Sequence, residues 1–236
     1  MLLLQILLLV SCATDNMEDN KFTPWHYLFF GVIPLSSIFY YIKYLNSAYV
    51  ITSFLLYVFI SFIVMALLWK LISIMTLHWD IKKHFVIFVI VAFLVTLDHL
   101  IKLVLLKIKF ETSVIGDLVL IKHRRNLSQN GILNFLNIET SRLSMIVFKV
   151  IIIAAIICCY NLFKSQTAKK AYTLIAAGAV SNLLDSVFYG YTLDYIHFHK
   201  IVTYDLKDYY VDTGVSVIIL LIFLSEIKKS KEKKDR

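Results

Sequence analysis

Uninterrupted apolar stretches begin near Tyr27, Ala48, Phe85, Leu143, Tyr172 and Tyr210, each running for roughly 17 to 24 residues, enough to cross a bilayer. In lipid a backbone must satisfy its own hydrogen bonds, so each stretch is committed to helix before any other choice arises. The spacing predicts six transmembrane helices. Composition agrees, since 59% of the 236 residues are hydrophobic and the mean hydropathy is +0.76, which is outside the range of soluble domains. Aromatic residues gather at the ends of several stretches (Trp25 and Tyr27, Tyr40 and Tyr41, Trp69, Trp79, Tyr209 and Tyr210), where an interfacial belt places them.

The formal net charge of +8 sits largely in clusters between the apolar runs: DIKKH at 80–84, KSQTAKK at 164–170 and EIKKSKEKKDR at 226–236. By the positive-inside rule these three, and with them the C-terminus, face the cytoplasm. Residues 109–142 and 190–208 then fall together on the outer side. The first of these loops, KFETSVIGDLVLIKHRRNLSQNGILNF, alternates apolar and polar residues around VIGDLVLI and predicts short strands. Its Lys122, Arg124 and Arg125 run against the orientation, but long loops obey the rule less strictly. No basic stripe interleaved with aromatics lies on a soluble module, so a nucleic-acid partner is not indicated.

The three cysteines, Cys12, Cys158 and Cys159, have neither metal-knuckle nor disulfide-framework spacing. Cys158 and Cys159, in IIIAAIICCYNLF, read as small apolar packing. LLLVSC places small residues before Cys12 as a bacterial lipoprotein signal does, but the apolar run is short and lacks a basic n-region. A start at Met17 explains the same residues equally well.

No internal repeat is visible, and the one composition shift lies near residue 80. Residues 1–80 read as an N-terminal extension with two plain hydrophobic spans, residues 1–16 being signal-like or upstream of the true start. Residues 81–236 form a second unit in which nearly every span carries an ionisable or amide residue. Such residues are expensive at membrane depth and mark function by default. Asp98 and Lys102 are four apart on one helix face, as an ion pair that tethers a helix end or as part of a site. Lys149 is expected to snorkel to an interface. Asn182 and Asp185 share a face near the outer end of their span, while Asp205, Asp208 and Asp212 cluster where the last span opens. Two carboxylates a few ångströms apart share a proton, one acting as general base toward a water and the other as general acid. This is an aspartic-peptidase arrangement needing neither metal nor cofactor, and a proton or cation relay in a transporter fits the same residues. His197 and His199, spaced i, i+2, read as an ordinary loop pair because no ligand cluster accompanies them. There is no G-x-S-x-G elbow, Walker loop or H-E-x-x-H.

From residue 85 onward the order of motifs resembles lipoprotein signal peptidase, the type II signal peptidase family of bacterial membranes. The family's D-x-x-x-K is similar to DHLIK at Asp98 and Lys102, and its R-N-x-G-x-x-F loop to RRNLSQNGILNF at Arg125, Asn126, Gly131 and Phe135. G-G-A-x-G-N-x-x-D-R resembles AAGAVSNLLDS, aligning Gly178, Ala179, Asn182 and Asp185; V-V-D-F resembles TLDY at Asp194. F-N-x-A-D, with a Gly six residues later, resembles YDLKDYYVDTG at Asp208 and Gly214. Ser181, Ser186, Asp205 and Lys207 replace the family's Gly, Arg, Asn and Ala.

The resemblance implies an all-α integral membrane fold: a four-helix transmembrane core with a small extracytoplasmic β-like cradle, here with two extra N-terminal transmembrane helices. It implies a catalytic dyad of Asp185 and Asp208, supported by Asn182, with Asn126, Asp98, Lys102, Arg125, Asp194 and the neighbouring Asp205 as accompanying polar positions. It also implies a bacterial plasma membrane location, diacylglyceryl prolipoprotein substrates cut before the lipidated Cys, contact with membrane lipid, and inhibition by globomycin-type peptides. The replaced positions raise the alternative of a relative that binds lipoproteins without cutting them.

Overall fold

The computed structural model describes residues 24–42, 47–77, 81, 84–108, 111–126, 141–160, 163, 165–199 and 201–234. Cys12, Met17, Gly131 and Phe135 lie outside them. Among the described residues, five helices are long and apolar enough to cross a membrane: α1 (Ala48–Met75), α2 (His84–Ile108), α3 (Arg142–Tyr160), α4 (Gln166–Phe188) and α5 (Leu206–Lys234).

The stretch from Tyr27 is not a sixth span. Pro24–Gly31 forms a 3-10 helix, followed by short helices at Val32–Ser36 and Ile38–Tyr41. Pro34 has no N–H to give to a ladder, and Ser36 and Ser37 donate their hydroxyls to the carbonyls of Ile33 (2.8 Å) and Pro34 (2.6 Å), an alternative to helical continuation. The expected N-terminal pair is therefore one span, α1, beside a broken apolar segment whose Phe30 joins the main core with Met65, Leu68 and Trp69. Dropping the first crossing leaves the alternation of the others unchanged.

Two helices begin earlier than their apolar runs suggest. Ser165 caps α4 by accepting from the Ala168 N–H, which makes the polar QTAKK turn helical and moves the start from Tyr172 to Gln166. Asp205 and Asp208 cap α5 reciprocally: Asp205 Oδ1 accepts from the Asp208 N–H and Asp208 Oδ2 from the Asp205 N–H, each at 3.2 Å. That box starts α5 at Leu206 rather than Tyr210.

Helix α4 lies inside the bundle, burying Ala168, Ala171, Ala177, Gly178 and Ser181. A Cβ on Gly178 would come 2.8 Å from the Lys207 carbonyl oxygen, so the α4 and α5 backbones approach closely because that position is empty. After α4 the chain turns through Gly190 at φ +74°, a left-handed conformation that glycine adopts without strain.

The segments after α2 and after α4 build one antiparallel sheet in the order β1-β2-β3-β4: Glu111–Ile115, Val119–Asn126, Thr192–Phe198 and Val202–Tyr204. The strands expected around VIGDLVLI are β1 and β2. The second loop adds β3 and β4, which were not expected, so the cradle is a four-stranded sheet rather than a β-like loop. Because β3 follows α4 and β4 leads into α5, the sheet and both helix ends occupy one end of the bundle. Helix α1 reaches the same sheet, where Val50, Phe54 and Tyr57 pack in one cluster with Val119, Phe198 and Ile201.

Candidate active site

Lys102 and Asp98 sit one turn apart on α2 and are fully buried. Their ion pair is present at 2.6 Å, but it is the edge of something larger. Lys102 Nζ also reaches Asp185 of α4 at 2.8 Å and Asp205 at 3.0 Å. Ser181, one turn before Asp185, donates to Asp98 Oδ2, while Asp98 Oδ1 has no hydrogen-bond partner among the described residues.

Lys207, in the first turn of α5, is the second cation. Its ammonium bonds to Asp205 and lies 3.5 Å from Asp185 and 3.6 Å from Asp194 on β3. Asp194 in turn accepts from Thr203 at 3.0 Å. Burial by itself would raise the Asp205 carboxyl, but the ammonium groups of Lys207 and Lys102 outweigh it and hold Asp205 below the usual carboxylate range. Carboxylate oxygens of Asp194, Asp205 and Asp208 lie within 4.8 Å of one another, as do ligand atoms of Asp98, His99 and Asp185. Either group could hold a metal ion by residue type, and each already holds a lysine ammonium. Five carboxylates face two ammonium groups here, so negative charge is concentrated at this end of the bundle.

A third lysine comes from α3. Lys149 does not snorkel: it is 4% exposed, and its ammonium donates to Asn182 Oδ1 (3.0 Å), to the Asn182 carbonyl (3.1 Å) and to Ser186 Oγ. Seven residues into α3, at 1.5 Å per residue, it stands roughly 10 Å from the helix start, too deep to prefer water once acceptors are at hand. The Thr192 hydroxyl also donates to Asn182 Oδ1, at 3.4 Å, so that amide is held from two sides.

Of the expected site residues, Asp98, Lys102, Asn182, Asp185, Asp194, Asp205 and Asp208 are brought together. Asp185 and Asp208 meet through Lys207 and Asp205. Asn126 is drawn in by its backbone, which pairs with Thr192; its side chain lies outside the described residues. Arg125 is not brought in: it stays exposed on β2, its guanidinium 5.3 Å from the Tyr191 ring centre. His197 donates through Nε2 to the Lys122 carbonyl of β2 at 3.0 Å, and His199 meets Tyr49 edge-on at 4.9 Å, so the two imidazoles go to separate contacts. The replaced positions all work in this network: Ser181 on Asp98, Ser186 under Lys149, and Asp205 with Lys207 between the two expected carboxylates. Lys149, Thr192 and Thr203 were missed. Only the depth of Lys149 within its run could have singled it out.

A family model described as Signal peptidase (SPase) II matches residues 90–224. A lipoprotein signal peptidase of Caldicellulosiruptor bescii is 33% identical over 87 residues, covering 36% of this chain and 57% of that protein. One of Buchnera aphidicola is 36% identical over 81 residues, covering 32% and 52%. The chain thus spans little more than half the length of these relatives. A bacterial membrane enzyme solved by the in meso method at 2.3 Å shares the fold, with a TM-score of 0.50 at 22% identity over 65% of this chain and 94% of that one.

Proposed function

The chain belongs to the signal peptidase II family, and on that premise we propose that it is a membrane aspartic endopeptidase that cuts diacylglyceryl-modified prolipoproteins before the lipidated Cys. The observation that carries this reading is the convergence of Asp185, near the end of α4, and Asp208, at the start of α5, around Asp205 and Lys207 at one end of the bundle. A substrate held by its own signal helix and acyl chains diffuses in the bilayer plane. Its scissile bond arrives at the depth of the helix ends, where the sheet can order the approaching peptide.

Asp185, held by Lys102 and Lys207, is the base. It takes a proton from water as the oxygen adds to the scissile carbonyl. Asp208 forms no ion pair among the described residues and sits beside Asp205 and Asp194. Of the three it is the one to carry a proton, and it gives that proton to the departing amine of the Cys as the C–N bond breaks. The products are a signal-peptide carboxylate and a free α-amine. Lys149 and Thr192 hold Asn182 beside the base. In this reading the sheet faces the extracytoplasmic side, the C-terminus is cytoplasmic, and residues 81–236 are the peptidase unit, in contact with lipid and open to a globomycin-type inhibitor.

The test is cleavage of a diacylglyceryl prolipoprotein by the purified protein beside Asp185→Asn and Asp208→Asn, with globomycin as control. Cleavage that both substitutions abolish is expected. Lys207, lodged between the carboxylates, favours one other reading, a relative that binds lipoproteins without cutting them; well-folded wild type that retains lipoprotein and leaves it intact would establish that instead.

A further inference from the structure

Asp208 hangs from a junction that the N-terminal helix holds. Tyr204, the last residue of β4, directly precedes Asp205. Its hydroxyl donates to Asp212 Oδ2 at 2.6 Å and accepts from the Tyr57 hydroxyl of α1 at 3.2 Å. Tyr57 is 2% exposed, and its ring packs edge-on against Phe198 at 5.2 Å and Tyr204 at 5.5 Å. Tyr204 lies 5.0 Å from the Tyr209 ring, one residue beyond Asp208. Ser53, one turn before Tyr57, donates to the Leu118 carbonyl in the β1–β2 turn at 3.2 Å. Helix α1 therefore holds the sheet at β4 and at the β1–β2 turn, and it does so from outside the residues 90–224 that the family model matches.

We propose that Tyr57 and Tyr204 are positioning residues for Asp208, the chain Tyr57–Tyr204–Asp212 locking the first turns of α5 against β4. Helix ends fray, and Asp208 stands in such an end, fixed there by its exchange of hydrogen bonds with Asp205. Asp212 is one turn further along α5, so pinning it to β4 pins the turn that carries Asp208. A small displacement of a reacting group lowers rate steeply, while a substrate anchored by its lipid and signal helix keeps its affinity. The proposal rests on the reading of Asp208 as proton donor.

The experiment uses the full chain in lipid nanodiscs, with Tyr57→Phe, Tyr204→Phe and the double variant, all of which keep the packed rings. Two quantities are read: kcat and KM on a diacylglyceryl prolipopeptide, and amide hydrogen exchange across residues 202–209. Loss of a buried hydroxyl bond predicts a kcat lower by about three- to tenfold in Tyr57→Phe, with KM within about twofold. Tyr204→Phe loses more, and the double variant no more than Tyr204→Phe, because the two act through one chain. Exchange across 202–209 rises in every variant. Unchanged kcat and exchange in Tyr57→Phe would overturn the proposal, as would losses that simply add. If wild type does not cleave, the peptidase reading falls on that result alone, and exchange decides the rest: faster exchange in Tyr57→Phe sustains the hold of α1 on the junction, and unchanged exchange removes it.

Discussion

Helices α3 and α4 are neighbours in sequence and pack side by side, yet the more apolar of the two lies further from the interior. Helix α3 turns Leu143, Val147, Val150, Ile151 and Ile157 outward; it buries Met145, Cys159 and Tyr160 and sends one charged side chain inward, Lys149. Helix α4 buries mostly Ala, Gly, Thr and Ser, with Tyr172 and Leu174 among them, and carries Asn182 and Asp185 near its end. In water the greasier helix would be the core. In lipid, tails solvate Leu and Ile as well as protein does, so large apolar residues gain nothing by going inside, and small residues that let backbones close take the centre. The hydrocarbon-like helix marks the outside of this molecule and the mixed one its functional interior.

The sharpest way to break the contrast is to remove the cation that the polar end of α4 faces. Lys102→Met leaves Asp98, Asp185 and Asp205 without their shared ammonium. Stripping one partner from a buried ionic cluster costs about 3–5 kcal/mol, so thermal denaturation in detergent should fall well below wild type and cleavage should vanish. A variant as stable as wild type would mean that the carboxylates are not charged together.

Next in size is the close approach itself. Gly178→Val places carbon against the Lys207 carbonyl oxygen, 2.8 Å from where a Cβ would stand, and carbonyl oxygens do not move aside as side chains do. We expect a loss of about 3 kcal/mol, read as a lowered melting temperature and a broadened size-exclusion profile.

Lys149→Met sharpens the comparison from the other side, because it alters the one buried charge of the outward helix. Met nearly matches Lys in length, and because the partners of Lys149 are the neutral Asn182 and Ser186, removing the ammonium relieves its desolvation cost without stranding a charge. Asn182, however, loses a charged donor, a bond worth about 1.5–3 kcal/mol. Stability within about 1 kcal/mol of wild type and kcat reduced by at least tenfold would mark Lys149 as part of the site. A matched fall in both would make it a structural tether.

What was legible in the chain follows the same division. The starts of α1, α2 and α3 were readable to within a residue, because runs that face lipid must be uniformly apolar, although α1 at 28 residues runs longer than expected. Starts at Gln166 and Leu206 were not, because Ser165 and the Asp205–Asp208 pair supply local caps that hydropathy ignores. The false span at Tyr27 shows the opposite error: apolar composition persists through Pro34 and two serines that break the helix. The aspartates were legible as charges too expensive to be idle. Lys207 was legible as a positive charge close to Asp208, but Lys149, which bonds Asn182 and Ser186, was not, since a lysine in an apolar run reads as a surface anchor until the acceptors opposite it are known. Strands β3 and β4 were hidden in a loop whose alternation showed only at His197 and His199.

The smallest expected effect decides whether the outer face of α3 is lipid-facing at all. Ile151 is 60% exposed, so in Ile151→Ala the removed carbons leave a lipid contact, not a protein one, and the membrane fills the space without a cavity. Stability should stay within about 0.5 kcal/mol of wild type. The reverse exchange on α4, Ala177→Ile, inserts three carbons at a fully buried position and should cost about 1–3 kcal/mol. The pair of melting curves thus measures the asymmetry directly. If Ile151→Ala instead destabilised by more than about 1 kcal/mol, with a dependence on protein concentration, that face would be packed against a second copy, and the apolar excess of α3 would belong to an interface and not to solvation by lipid.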